Sequence, residues 1–167
     1  TEQLDYVLEL LLEHDGVDLP YDMCVGVTYD EVHADPDKAL GRIISRFHEV
    51  ARVCDVVVIV GTDYTDVAGP TELAFNARVA VNLGSPVLLV VSGNRRRAEE
   101  IKHMVSVSVT ELEAAHAQVI GVVANRCSPD ELDKISAELT GTVPVWTIPE
   151  EPFLVAPTVR ALMHAVD

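Results

Sequence analysis

Basic side chains are scarce in this sequence, and their scarcity argues against two classes of partner. The 167 residues include 12 lysines and arginines against 27 aspartates and glutamates, which gives a formal net charge of −15 at pH 7. Such a surface repels polyanions, so we expect no binding to nucleic acid or to an anionic membrane. No apolar run approaches the roughly 20 residues that a membrane-spanning helix needs, and the acidic start does not resemble a secretory signal.

The sequence also lacks both common glycine-rich motifs that bind phosphate. Its three lysines are Lys38, Lys102 and Lys134, and none of them follows a glycine. A Gly-x-x-x-x-Gly-Lys-[Ser/Thr] phosphate loop is therefore absent, and the nine glycines form no Gly-x-Gly-x-x-Gly fingerprint. Any nucleotide would have to be held without a lysine-bearing loop.

Cysteine and histidine are too few and too scattered to indicate a metal or catalytic site. Cys24, Cys54 and Cys127 lie far apart in apolar surroundings, which is typical of small buried thiols rather than of disulfides or metal ligands. The six histidines show no ligand spacing, and no Ser-His-Asp or Cys-His set stands out. We therefore expect no metal, no catalytic residue and a reducing, cytoplasmic environment.

What the sequence does have is an alternation of apolar runs with amphipathic segments. Residues 56–60 are all β-branched and predict a strand buried on both faces, near the middle of a parallel sheet. Further strands are predicted at 87–91, 119–124 and 143–148, with a weaker one at 24–28. Helices are predicted at about 2–13, 36–53 and 70–83, after residue 94, at about 129–140 and from 157 onward.

Turn and cap residues support several of these helices, and the alternation defines the fold class. Asp35 before Pro36 predicts an N-cap, and Ser128 with Glu131 predicts a capping box. Parallel strands joined by helices give an α/β fold, a three-layer sandwich with a mainly parallel sheet. With no repeat or internal linker, residues 1–167 are predicted to form a single domain, and Trp146 is predicted to lie in its core.

Polar residues follow the predicted strands at the points where the strands end. Gly61, Thr62, Asp63 and Asp66 follow the run 56–60, and the later strands are followed by the ligand-binding candidates Asn125, Arg126 and Glu150. Because the carboxyl ends of parallel strands share one edge of a sheet, we expect these groups to converge there.

Two of these candidate sites, the acidic residues after the first strand and the asparagine after the third, can each be interpreted in two ways. Asp63 and Asp66 either hold a magnesium ion, together with water and substrate phosphates, or form an Asp-rich turn that bonds its own backbone. Asn125 either pairs with a purine edge or satisfies the strand-to-helix turn. Arg95, Arg96 and Arg97 are predicted to form a solvated face with neighbouring glutamates rather than an anion site.

Five segments of the chain carry a family resemblance. They are Val60-Gly61-Thr62-Asp63-Tyr64-Thr65-Asp66, residues 70–78, residues 83–90, Val123-Ala124-Asn125-Arg126 and residues 148–159. In order and spacing they resemble the amino-terminal region of long-form phosphate acetyltransferase, the enzyme that transfers acetyl between coenzyme A and phosphate. The resemblance covers nearly the whole chain.

The resemblance implies a fold related to dethiobiotin synthetase and other P-loop proteins, without the phosphate loop. In the family the catalytic residues belong to a carboxyl-terminal acetyltransferase domain, so none is carried over here. The region is expected to support regulation by a metabolite or nucleotide effector, to hold no cofactor of its own and to stabilise a homo-oligomer. The chain thus resembles an internal fragment of a longer multidomain enzyme.

One alternative to this regulatory and assembly role follows from the same resemblance. Asn125 matches the position at which dethiobiotin synthetase relatives read a purine, which would make the chain the nucleotide-binding half of an ATP-dependent ligase. Against it, some relatives carry a glutamate where Val60 stands. The phosphate loop of such a ligase would lie before Thr1.

Overall fold

Two units make up the structure, a computed structural model that describes residues 6–14, 18–61, 71–141 and 143–155. The described residues up to 61, together with 71–84, form the first unit, and residues 85–155 belong to the second. The prediction of one domain over residues 1–167 stays a prediction. No helix among the described residues is long and apolar enough to cross a membrane.

The first unit is helical, and its helices begin where the sequence supplies caps. The Asp35 side chain accepts a hydrogen bond of 3.0 Å from the Lys38 N–H, with Pro36 in the first turn, as predicted. Thr28 and Glu31 form a reciprocal capping box that the sequence reading missed. The helices are α1 (Tyr6–His14), α2 (Tyr21–Cys24), α3 (Tyr29–Ala34), α4 (Pro36–Val50) and α5 (Thr71–Leu83).

Helices α4 and α5 supply the core of this unit. Ala39 and Leu40 of α4 and Phe75 and Val79 of α5 are buried together. Partly buried side chains complete the cluster, namely Val27, Val32, Ile43, Ile44 and Leu83. The short strand predicted at 24–28 is wrong: Cys24 ends α2, and the next residues are irregular because they lead into the Thr28 cap.

The predicted central strand is also wrong. Residues 56–60 have no regular structure, and Val56 and Val58 are 78% and 83% exposed. β-Branched composition favours a strand, but a strand also needs a neighbour for its backbone hydrogen bonds. The three strands that pair among the described residues all belong to the second unit. Residues 56–60, in the first unit, therefore have no described strand to pair with.

The second unit contains the parallel sheet. Its strands are β1 (Val87–Ser92), β2 (Val119–Cys127) and β3 (Val145–Pro149), in the order β1-β2-β3. They connect through α6 (Ala98–Ala114), then a 3-10 turn (Pro129–Glu131) and α7 (Leu132–Glu138), with α8 (Pro152–Val155) after β3. These three strands and the α/β class with a parallel sheet are confirmed.

The two faces of the sheet differ in burial. Leu89, Val91, Val122 and Ala124 point to one face and are buried, as are the facing side chains Ile101, Leu112 and Ile135 of α6 and α7. The opposite face carries half-exposed apolar side chains, which are Leu88, Val90, Trp146 and Ile148. Close packing against α6 and α7 therefore stabilises the first face.

Two sequence predictions fail in this unit. Trp146 is 51% exposed rather than in the core, because its strand turns it to the open face, where it lies over Gly121. A Cβ on Gly121 would come within 2.7 Å of the Trp146 ring. The Ser128 capping box is absent: the Ser128 side chain makes no cap bond. Glu131 instead accepts hydrogen bonds from Lys134 and from the Ala98 N–H.

Candidate functional site

The carboxyl ends of the three strands meet at one edge of the second unit, as the sequence predicted. The Gly93 N–H, just after β1, donates a 2.6 Å hydrogen bond to the Asn125 carbonyl oxygen in β2. The Glu150 N–H, just after β3, donates a 2.8 Å bond to the Cys127 carbonyl oxygen. These cross-strand bonds fix the exits of β1, β2 and β3 side by side.

Gly93 is required at this edge by close packing. A Cβ there would lie 2.5 Å from Cys127 Sγ, closer than real Cβ atoms come to another atom, and 3.1 Å from Cys127 Cα, which is tighter than most contacts. Cys127 is fully buried and its thiol donates to the Ala124 carbonyl oxygen at 3.2 Å. Burial raises the pKa of the Cys127 thiol, partly offset by a backbone hydrogen bond at Ile148. The thiol is therefore a packing group of the expected kind.

Asn125 bonds to the backbone of the turn that follows it. Arg126 has a φ of 59°, in the left-handed region, and β2 is irregular between Ala124 and Cys127. The Arg126 N–H donates a 3.0 Å hydrogen bond to Asn125 Oδ1. This bond supports the turn-satisfying interpretation of Asn125. Among the described residues, its Nδ2 has no hydrogen-bond partner, so a donor remains for a ligand.

Arg126 and Glu150 pair across the edge of the sheet. Arg126 Nε and Nη2 donate to the same oxygen, Glu150 Oε1, at 3.1 and 2.8 Å. Both side chains are partly exposed, and pairs of this kind contribute about 0–1 kcal/mol to stability. The carboxylate neutralises the guanidinium, so an anion would bind Arg126 only in competition with Glu150.

The structure brings together three of the seven predicted site residues. Asn125, Arg126 and Glu150 lie at this edge, whereas Gly61 belongs to the first unit. A Cβ on Gly61 would lie 3.0 Å from Asn76 Oδ1 of α5. Thr62, Asp63 and Asp66 lie outside the described residues, so the magnesium interpretation stays a prediction. Within the described parts of the chain, no three histidine, cysteine or acidic side chains cluster closely enough to hold a metal ion.

The arginine cluster and two cysteines differ from their sequence interpretations in detail. Arg96 donates to the Ser92 carbonyl oxygen at 2.9 Å, and the Arg97 N–H bonds Glu100 at 2.8 Å. Cys24 and Cys54 are free thiols. Burial is the larger cause of the raised pKa of Cys24, and the charge of the nearby Cys54 raises it further. Their sequence separation gave no sign of this proximity.

Three features escaped sequence reasoning altogether. They are the close packing at Gly93, the contact of Gly121 with Trp146, and the burial of Glu72. Glycine next to or within a strand is a signal for close approach, which could have located the first two. Glu72 is an acidic residue in the first turn of a helix, which is a common position for one, so the local sequence does not predict its burial.

A parallel sheet flanked by helices, with polar residues at its carboxyl edge, defines an α/β protein. Residues 6–158 match the sequence profile of the AAA domain family. The chain belongs to that family, and the match makes its fold P-loop-like. No solved structure matches it at a significant level.

Curated relatives of the chain are much longer proteins. It is 24% identical over 173 residues to a protein named phosphate acetyltransferase from Nitratidesulfovibrio vulgaris, covering 96% of the chain and 25% of that protein. Another phosphate acetyltransferase, from Synechocystis sp., is 24% identical over 136 residues, covering 78% of the chain and 20% of that protein. The family resemblance found in the sequence is confirmed, and the chain spans about a quarter or less of these relatives.

Proposed function

We propose that this chain is the amino-terminal regulatory and assembly domain of a cytoplasmic phosphate acetyltransferase, without catalytic residues of its own. Two relatives carry that name, and their matches cover 96% and 78% of the chain. Since they are about four times as long, their remaining length has room for a separate acetyltransferase domain. In this proposal the domain contacts that catalytic domain, supports a homo-oligomer and responds to a metabolite.

The Arg126–Glu150 pair is the observation that carries the non-catalytic part. Enzymes that transfer phosphoryl groups keep cations and backbone donors directed at the phosphates. At this edge the guanidinium is instead neutralised by a carboxylate, with donor–acceptor distances of 2.8 and 3.1 Å. The sequence has no lysine-bearing loop to replace it. Both facts favour a site that responds to a ligand over one that performs chemistry.

Activity measurements test the proposal directly. The purified 167-residue chain should form no acetyl phosphate from acetyl coenzyme A and phosphate, with the full-length parent enzyme as positive control. Deleting residues 1–167 from the parent enzyme should leave acetyl transfer but change its oligomeric mass and its response to metabolites. Transfer by the 167-residue chain alone would refute the proposal.

A second candidate function is a nucleotide-binding half-site of an ATP-dependent ligase. The Asn125 Nδ2, unpartnered within the described part of the chain, favours it because a purine ring nitrogen can accept from it. Calorimetry of ATP with Mg²⁺ against a longer chain that includes the upstream residues tests it. Asn125→Ala should then weaken binding, with Asn82→Ala on the surface of α5 as control. Absence of heat with any nucleotide would eliminate this candidate.

A further inference from the structure

A cavity of about 330 Å³ opens in the first unit, where α3 and the start of α5 come together. Its volume is at the small end of the range for pockets that bind small molecules. One part of its wall is apolar and the other is polar. The described residues that line it are Tyr29, Val32, His33, Pro36, Glu72, Ala74, Phe75 and Arg78.

Glu72 is the unusual member of this wall. The residue is only 5% exposed, and neither carboxylate oxygen has a hydrogen-bond partner. Among the described residues, no other buried side-chain oxygen or nitrogen lacks a partner. Burying a polar or charged group without a partner costs free energy, so proteins normally supply one. An orphaned carboxylate on a cavity wall therefore indicates that its partner comes from outside the described part of the chain.

The neighbouring groups do not supply that partner. The pKa of the Tyr29 phenol is raised mainly by the Glu72 carboxylate, so the two groups are close, but no hydrogen bond of normal geometry joins them. Arg78, the one arginine or lysine among the described residues of the wall, donates instead to Asp37 Oδ1 at 2.6 Å. His33 stacks against Tyr29 with ring centroids 4.2 Å apart. The Glu72 carboxyl group thus stays on the cavity wall without a partner among the described residues.

We propose that this cavity binds a small organic cation, an ammonium or amidinium group on an apolar body. The N–H groups of the cation would donate to the two Glu72 oxygens as charge-assisted hydrogen bonds. The apolar body would lie on Val32, Pro36 and Phe75, and the Tyr29 ring, which also lines the cavity, would add a cation–π contact. The proposal concerns the first unit alone and does not rest on the function proposed above.

Calorimetric or NMR titration with three probes of one shape tests the charge requirement. Benzamidine should bind, whereas benzyl alcohol and benzoate should bind at least tenfold more weakly. Glu72→Gln keeps the shape and removes the charge, so it should lower benzamidine affinity at least tenfold. Glu49→Gln, a surface carboxylate paired with Arg46, should leave the affinity unchanged and serves as the matched control.

Two further variants keep the test informative. Ala74→Leu places a larger side chain on the exposed part of the cavity wall and should reduce benzamidine binding without touching Glu72. Tyr29→Phe removes the nearby hydroxyl and should leave binding within a few-fold of the native value. The proposal is overturned if benzamidine does not bind the native chain, or binds Glu72→Gln equally well. It is overturned too if Tyr29→Phe abolishes binding, since the Tyr29 phenol rather than the Glu72 carboxylate would then hold the cation.

Discussion

The two units of this chain contain similar apolar runs with opposite structures: one run is a paired strand, and the other is unpaired and largely exposed. Residues 56–60 in the first unit and β1 in the second are both rich in β-branched and apolar residues. In β1, Leu89 and Val91 are buried and the backbone pairs with β2. The run 56–60 is unpaired and largely exposed. The difference shows that composition sets a preference for strand, whereas the availability of a partner decides whether the strand forms.

The largest expected difference between the two units is the loss of stability when one apolar side chain in each is truncated to Ala. Ile101 is fully buried beneath the sheet. Ile101→Ala should lower the free energy of unfolding by about 2–5 kcal/mol, because buried apolar surface is lost and a cavity remains. Val58→Ala in the exposed run should change stability by no more than about 0.5 kcal/mol. Urea denaturation measures both. Equal losses would mean that the run is buried in solution, and the comparison would fail.

Glycine substitutions come next in size and have opposite expected signs. Gly93→Ala forces a Cβ against the buried Cys127, which should destabilise the chain by about 1–3 kcal/mol through overpacking. Gly41→Ala in the middle of α4 meets nothing within 4 Å, so it should stabilise by about 0.5–1 kcal/mol. Thermal melts of the two variants give the signs. A neutral Gly93→Ala would show that β1 and β2 separate readily at this edge.

Thiol reactivity offers a smaller contrast, with a pH dependence. Burial raises the pKa of Cys127 in the fold, so its contribution to stability is full below the ordinary thiol pKa of about 8.5. It is lost as the pH rises through the folded value, because the unfolded thiol ionises first. At pH 8 a thiol reagent should label the partly exposed Cys24 and Cys54 well before Cys127. Cys127→Ala should flatten the alkaline loss of stability, and fast labelling of native Cys127 would contradict this.

The smallest effect is expected at the Arg126–Glu150 pair. A double-mutant cycle with Arg126→Ala and Glu150→Gln should give a coupling of about 0–1 kcal/mol, reduced further in high salt. The value sharpens the comparison because it shows whether the polar edge of the second unit contributes to stability or only presents charges. A coupling well above that range would mean that the pair is less accessible to water than its partial exposure indicates.

Sequence reasoning located the elements that rest on local signals. The Asp35 cap before α4 and the strands of the second unit were predicted from residue types and spacing alone. Of the seven residues expected to converge, Asn125, Arg126 and Glu150 lie at one edge of the sheet. The failures concern groups whose state depends on distant partners. Trp146 was predicted to be a core residue, but its position in the strand directs it to the exposed face of the sheet. Ser128 and Glu131 match the capping-box pattern, but Glu131 accepts hydrogen bonds from Lys134 and the Ala98 N–H instead.

The sequence by itself determined the α/β class, the absence of a phosphate loop, the strong negative charge and the family. The first three follow from composition, periodicity and motif, which act within a few residues or add up over the chain. The family follows from the resemblance of five segments to known proteins. Only the tertiary structure decided that residues 56–60 stay unpaired, that Gly93 sits against Cys127 and that Glu72 faces a cavity without a partner. Each of these outcomes depends on which groups from elsewhere in the chain come within a few ångströms, and no local pattern encodes that.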